Sequence, residues 1–204
     1  MVKIFCVNTQ TSMTFPEGTA LMDMLPAFEF EKPYPILCAK VNNVSQGLKY
    51  RAFNSRKVEF LDYTSYIGRS VYCNSLCFLL CKAAKDVFPN CRVVLRRPIS
   101  KGYFCSISKG DGGEITSADL ELIKARMNEL VEADIPFRRH EVLLEEAIGL
   151  FRSLGYEDKV KLLETSGDVY VNYYTLEDTP DYYYEALLSS TGYLKVWSLE
   201  MYRG

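Results

Sequence analysis

Residues 71–89 carry the sequence VYCNSLCFLLCKAAKDVFP, which decides how the fold is organised. Apolar or small side chains continue along most of this stretch, and Pro89 cannot extend a helix. We therefore predict a long, buried helix over 71–88. Turn signals at hairpin spacing precede the helix and a mixture of helices and strands follows it, which indicates an α+β protein.

The residues before this helix predict a small sheet packed on one helix. Their alternating apolar pattern, interrupted by turn residues, is typical of short strands. The strands are expected at 3–7, 12–15, 36–41 and 58–61, with another short strand in between and a helix at 19–28. Five short strands on one helix is the ubiquitin-like β-grasp plan.

The residues after the long helix predict an α+β region. Thr116 and Asp119 have the spacing of a capping box, and Gly155 lies where a helix C-cap is expected. We expect helices at 117–131, 141–154 and 159–164, and strands at 92–95, 103–107, 169–173 and 193–199.

Composition restricts the function. The chain has 24 Lys+Arg against 26 Asp+Glu and a formal net charge of -2, so a nucleic-acid contact must use a local patch. We expect neither a signal peptide nor a membrane span, because no apolar run reaches about 18 residues. Seven cysteines without paired short spacings indicate reduced thiols and a cytoplasmic location.

Motifs for catalysis are missing from the sequence. The glycine cluster at 110–113 lacks the Gly-Lys-Ser/Thr of a phosphate loop and is interpreted as a turn. His140 is the one histidine, and its charged neighbours Arg138, Arg139 and Glu141 are typical of a solvated helix entrance. We expect this histidine to be inert and this chain to lack a complete active site.

Three groups of residues could bind a ligand, and each has a structural alternative. Cys73, Cys77 and Cys81 could hold a metal, but no second Cys/His pair accompanies them, so core packing is preferred. A basic segment could contact phosphates, or its charges could keep an exposed strand edge from pairing with another chain. Its members are Arg92, Arg96, Arg97 and Lys101. A group rich in tyrosine could stack nucleobases, or it could pack a sheet. That group is Tyr170, Tyr173, Tyr174, Tyr182, Tyr183, Tyr184, Tyr193 and Trp197.

Two family resemblances cover nearly the whole chain in order. FPEGT at 15–19 and AKVN at 39–42 resemble the TGS domain of threonyl-tRNA synthetases and stringent-response enzymes. The remainder resembles the second additional domain of threonyl- and alanyl-tRNA synthetases. The motifs are AKDVFP at 84–89, GYF at 102–104, MNEL at 127–130, EEA at 145–147 and DKVKLL at 158–163. The resemblance implies a TGS-like domain at 1–64 and a synthetase editing-like domain at 65–204.

The second resemblance also implies a site. In the synthetases this domain edits mischarged tRNA with a pocket that resembles a metal site of three histidines and one cysteine. Its four positions correspond here to Asn74, Phe78, Tyr183 and Leu187, so none of the four ligands is present. A pocket lysine and aspartate correspond to Lys159 and Asp181. We expect neither a metal nor catalysis at this pocket.

The pair of domains also resembles the N-terminal part of bacterial uridine (nucleoside) kinases. The motifs are KGYFC at 101–105, ADIPF at 133–137, KLLETSG at 161–167, DYYY at 181–184 and STGY at 190–193. This resemblance implies a kinase domain in cis, which would use ATP and Mg²⁺, while no cofactor is expected in this segment.

We therefore expect a non-catalytic regulatory or binding module. RNA, tRNA or a nucleotide would be sensed in the degenerate pocket, and a homo-oligomer is an option. Two alternatives remain open: a tRNA-editing deacylase with Cys77 as its nucleophile, and a structural dimerisation or docking module.

Overall fold

The computed structural model describes residues 1–99, 102–110 and 112–202, which form helices and strands in mixed order. The strands are β1 (Val2–Cys6), β2 (Thr11–Phe15), β3 (Thr19–Ala20), β4 (Cys38–Val41), β5 (Val44–Gly47), β6 (Arg51–Ala52), β7 (Arg56–Leu61), β8 (Arg92–Ile99), β9 (Gly102–Ser108), β10 (Phe137–Leu143), β11 (Tyr170–Leu176) and β12 (Thr179–Asp181). The helices are α1 (Leu21–Met24), α2 (Tyr66–Val87), α3 (Ser117–Glu132), α4 (Leu144–Ser153) and α5 (Glu157–Glu164). Single 3-10 turns lie at Leu25–Ala27 and Thr191–Tyr193.

The first sheet has the order β2-β1-β7-β4-β5. β1 and β7 run parallel at its centre, and the other neighbours are antiparallel. This order, with α1 inserted between β3 and β4, is the β-grasp arrangement, so the predicted fold class is confirmed. The predicted helix at 19–28 is shorter than expected. It leaves the α conformation after Met24, because Pro26 has no amide hydrogen to donate.

The long helix α2 begins five residues earlier than predicted. The Gly68 amide donates to Ser65 Oγ at 2.9 Å, which caps the first turn. A Cβ at Gly68 would lie 1.8 Å from the Asp62 carbonyl oxygen, so only glycine fits this close approach. The start of α2 is therefore set by contacts with the preceding loop.

The second region contains the hairpin β8–β9 and the antiparallel sheet β10-β11-β12. The predicted capping box of α3 is confirmed: Thr116 Oγ1 accepts from the Asp119 amide, and Asp119 Oδ2 accepts from the Thr116 amide. The predicted C-cap is also confirmed, since Gly155 follows α4 with a φ of 72°.

One predicted helix has the wrong start, and one predicted strand was wrong. The helix expected at 141–154 starts only at Leu144, because 137–143 pair with β11 as a strand. The strand expected at 193–199 is not formed. Tyr72 Oη donates to the Val196 carbonyl and accepts from its amide, so both backbone groups are satisfied without a strand partner.

One buried cluster joins the two regions. Leu37, Cys38 and Leu61 of the β-grasp region pack in the same core cluster as Val71 and Phe78 of α2. A separate cluster fills the space between the first sheet and α1. The division at residues 64 and 65 stays a prediction. Among the helices in the described part of the chain, none has the length and apolar character that a membrane span needs.

Candidate functional site

The six pocket positions predicted from the sequence lie around the segment that follows β12. Asp181 ends β12, and Tyr183 and Leu187 follow it. Asn74 and Phe78 lie one turn apart on α2, and Lys159 lies on α5. The fold therefore brings together two helices and one extended segment that are far apart in sequence.

An ion pair forms the polar part of this site. Lys159 Nζ lies 2.9 Å from Asp181 Oδ1, with side-chain exposures of 27% and 12%. Asp181 Oδ1 also accepts from the Tyr182 amide at 2.7 Å. Burial lowers the pKa of Lys159, but the Asp181 carboxylate more than offsets this, so the pKa lies above its usual value. Lys159 is therefore held as a cation at neutral pH.

Packed side chains form the apolar part of the site. Phe78 is 0% exposed, and its ring centroid lies 5.6 Å from that of Tyr183. Leu187 is buried in the same cluster. Burial raises the pKa of Tyr183 well above its usual value, and the nearby Asp181 carboxylate raises it further. This phenol is therefore neutral.

These residues do not match the metal ligands of the synthetase editing domain that this region resembles. Phenylalanine and leucine carry no donor atom, so two of the four positions are unable to ligate a metal. Within the residues that the structure describes, no three His, Cys, Asp or Glu side chains are grouped so that they could hold a metal ion.

A second polar contact in the site was missed by sequence reasoning. Asn74 Nδ2 lies 3.5 Å from Glu185 Oε2, and Ser70 Oγ donates to the same carboxylate oxygen. Ser70 and Asn74 are four residues apart, so they share one face of α2, and that spacing was the only signal in the sequence. Glu185 therefore ties the segment after β12 to α2.

The cysteine stripe on α2 lies beside the ion pair. Burial raises the pKa of Cys77 to about 12, and the neighbouring Cys73, Cys105 and Asp181 add to the shift. Burial followed by Asp181 also raises the pKa of Cys81 to about 12. Protonated thiols are poor nucleophiles, so this environment does not favour Cys77 as a catalytic residue.

The hairpin β8–β9 borders the same site and carries the basic segment. Arg92 and Arg96 are exposed on β8, Arg97 belongs to the same strand, and Lys101 lies outside the described residues. The pKa of Tyr103 on β9 is raised by burial and by nearby groups that include Cys77 and Glu185. The Tyr103 end of the hairpin therefore lies close to both α2 and the segment after β12, whereas Arg92 pairs with Ser108 at the other end.

The expected environment of His140 was wrong. His140 lies on β10, where its ring stacks on Tyr173 with centroids 4.8 Å apart. Its Nε2 is 2.9 Å from Thr175 Oγ1 on the neighbouring strand. The alternation of β10 places this residue on a sheet face, where pairing with β11 overrides the helical pattern.

Three similar proteins are threonine–tRNA ligases. The chain is 32% identical to that of Syntrophotalea carbinolica over 82% of its own length. It is 28% identical to that of Desulforamulus reducens over 87%, and 25% identical to that of Azobacteroides pseudotrichonymphae over 98%. No family model matches. The matched region is 26%, 28% and 31% of the length of these three ligases, respectively. The chain is therefore similar to one region of threonyl-tRNA synthetases and spans less than a third of each relative.

The Lys159–Asp181 pair gives a stability prediction. Asp181→Asn should lower the free energy of unfolding by about 1–3 kcal/mol, because it leaves a partly buried ammonium without its counter-charge. The double variant Lys159→Met/Asp181→Leu should recover most of that decrease. Urea denaturation of the three proteins measures both effects.

Arg152→Gln is the control for this experiment, because it removes an exposed ion pair with Glu164 and should change stability by less than about 1 kcal/mol. If Asp181→Asn changes stability no more than Arg152→Gln does, the pair has no structural role.

The raised pKa of Cys77 gives a pH prediction. A pKa of about 12 lies three units above the ordinary value of 9.0, so the thiolate fraction at neutral pH should be about a thousandfold lower than in free cysteine. The alkylation rate of Cys77 by iodoacetamide, followed by mass spectrometry, should keep rising with pH beyond about pH 9. Cys77→Ser identifies the modified peptide. A rate that reaches its plateau below about pH 8 would contradict the raised pKa.

Proposed function

We propose that this region is a non-catalytic RNA-binding module that binds tRNA beside α2. The observation that carries the proposal is the retained Lys159–Asp181 pair, 2.9 Å apart, next to positions filled by Phe78 and Leu187. The relatives described above act on tRNA by name, and their similarity to this chain supports tRNA as the ligand. A pocket whose neighbouring thiols are protonated and whose metal-ligand positions hold phenylalanine and leucine is suited to binding without turnover.

Exposed cations supply contacts for the phosphate backbone. The side chains of Arg92 and Arg96 are exposed on β8, so their guanidinium groups are accessible to a phosphate. Phosphate contacts of this kind position a nucleic acid without reading its sequence. The net charge of -2 makes this local patch, and not the whole surface, the source of attraction.

An exposed aromatic ring supplies a stacking surface. Tyr184 is 92% exposed, and it directly follows Tyr183 in the site. A tyrosine face stacks on any nucleobase, so it suits an unpaired end of an RNA chain. Other members of the tyrosine group contribute to packing instead: Tyr174 is 7% exposed, and Tyr173 stacks on His140.

The kinase context stays a prediction. The relatives that support the proposal are ligases, so the resemblance to uridine kinases rests on the sequence motifs alone. A Gly-x4-Gly-Lys-Ser/Thr motif in the parent reading frame after Gly204 would test it, as would ATP-dependent phosphorylation of uridine by the parent protein.

Variants on the hairpin and at Tyr184 test RNA binding. Arg92→Ala/Arg96→Ala should weaken the binding of a fluorescently labelled tRNA, and each phosphate interaction that is removed should reduce the slope of log affinity against log salt by about 1. Tyr184→Ala should weaken binding by about 1–3 kcal/mol without changing that slope. Fluorescence anisotropy over a salt series measures both quantities.

Lys57→Ala and Tyr34→Ala are the matched controls, because both residues are exposed and lie in the β-grasp region. They should leave tRNA affinity unchanged. The proposal fails if wild type does not bind tRNA at low salt, or if the control variants weaken binding as much as those on the hairpin and at Tyr184.

A further inference from the structure

A second cleft, away from the Lys159–Asp181 pair, lies between the two regions of the chain. It has a volume of about 710 Å³ and is lined by the β5–β6 connection around Lys49, by β10, and by residues 187–189. Clefts of a few hundred cubic ångströms between two structural units are typical ligand sites. This size suits a small molecule.

Positive charge in the cleft is not neutralised by ion pairs. Lys49 Nζ donates to the Ser189 carbonyl at 2.9 Å, and Arg139 donates to Gln46 Oε1 at 3.0 Å and to Asn172 Oδ1 at 2.8 Å. These partners are all neutral. The exposed Arg138 side chain has no hydrogen bond or ion pair among the residues that the structure describes.

Acidic side chains near this cluster are few. Glu141 is the acidic residue in the lining, and Asp134 lies close enough to influence Lys49. Burial lowers the pKa of Lys49, Asp134 raises it, and Arg138 lowers it. Asp134 therefore does not offset the effect of burial on the pKa of Lys49, and an anion bound beside Lys49 would raise that pKa.

An unpaired hydroxyl gives an independent sign of a ligand. Ser189 lines the cleft, is 6% exposed, and its Oγ has no hydrogen-bond partner in the described part of the protein. A buried hydroxyl without a partner costs free energy, and such groups are normally satisfied by protein, water or ligand. Ser189 lies next to Lys49, whose Nζ donates to its carbonyl oxygen.

We propose that this cleft binds a small phosphorylated ligand, whose phosphate is held by Lys49 and Arg138 and gains a hydrogen bond from Ser189 Oγ when that side chain turns out of its enclosed position. Arg139, already fixed by Gln46 and Asn172, contributes charge at the rim. The Tyr50 ring in the lining offers a face for a nucleobase, so a nucleotide fits the site. Leu187 lines both sites, but Lys49 and Arg138, which would hold the phosphate, lie outside the proposed tRNA site, so this inference does not depend on that site.

Isothermal titration calorimetry at low salt tests the proposal with pyrophosphate, AMP and a 5′-phosphorylated RNA oligonucleotide as probes. Pyrophosphate or AMP should bind saturably to wild type. Lys49→Met and Arg138→Met should each weaken that binding about tenfold to a hundredfold, because each removes a charge-assisted hydrogen bond. The exposed Arg138 can be replaced without disturbing the core, so its variant tests binding even if Lys49→Met folds poorly.

Two further variants sharpen the test. Ser189→Ala should weaken pyrophosphate binding severalfold and yet raise the Tm of the free protein, because it removes an unpaired buried hydroxyl. Lys161→Met, at an exposed cation on α5, should change neither quantity. The proposal is overturned if neither pyrophosphate nor AMP binds, if only the RNA binds, or if Lys161→Met weakens binding as much as Arg138→Met. tRNA binding that depends on Arg92 and Arg96 would survive each of these results.

Discussion

Burial of α2 on several sides is the constraint on which the rest of the structure depends. Its buried positions are not confined to one stripe, so the β-grasp region, α3, β11 and the segment after β12 must all supply matching faces. Polar groups that are buried with the helix also need partners. Ser75 Oγ donates to the Val71 carbonyl and accepts from the Leu188 amide, and Lys82, 4% exposed, lies within 3.2 Å of carboxylates of Asp86, Glu177 and Asp178.

The same burial explains the chemistry of the candidate site. It keeps the Cys77 thiol protonated and fills the neighbouring space with the Phe78 ring. The Asp181 carboxylate counteracts the effect of burial on Lys159, whose pKa lies above its ordinary value. Our proposal of binding without bond cleavage rests on this arrangement, since water activation needs a metal or a group that titrates near neutral pH.

Much of this architecture could be predicted from the sequence, because strong local signals and tertiary packing agree. Pro89 marked the end of the long helix, and Thr116 with Asp119 marked the start of α3. Prediction failed where partners distant in sequence decide the conformation. β10 is a strand because it pairs with β11. Val196 is not in a strand, because its backbone amide and carbonyl are hydrogen-bonded to the Tyr72 hydroxyl. Lys159 and Asp181 were found through family resemblance, whereas the cleft around Lys49 has no local motif, since its residues meet only in the folded chain.

We propose that this region binds tRNA without hydrolysing an aminoacyl ester. The most direct test of this proposal is a single-turnover deacylation assay with mischarged tRNA, in which binding of the same tRNA is measured in the same sample. We expect saturable binding and a rate of ester hydrolysis equal to that in buffer. Hydrolysis above the buffer rate that disappears in Lys159→Met or Cys77→Ser would contradict the account, because it would show that the site retains catalysis.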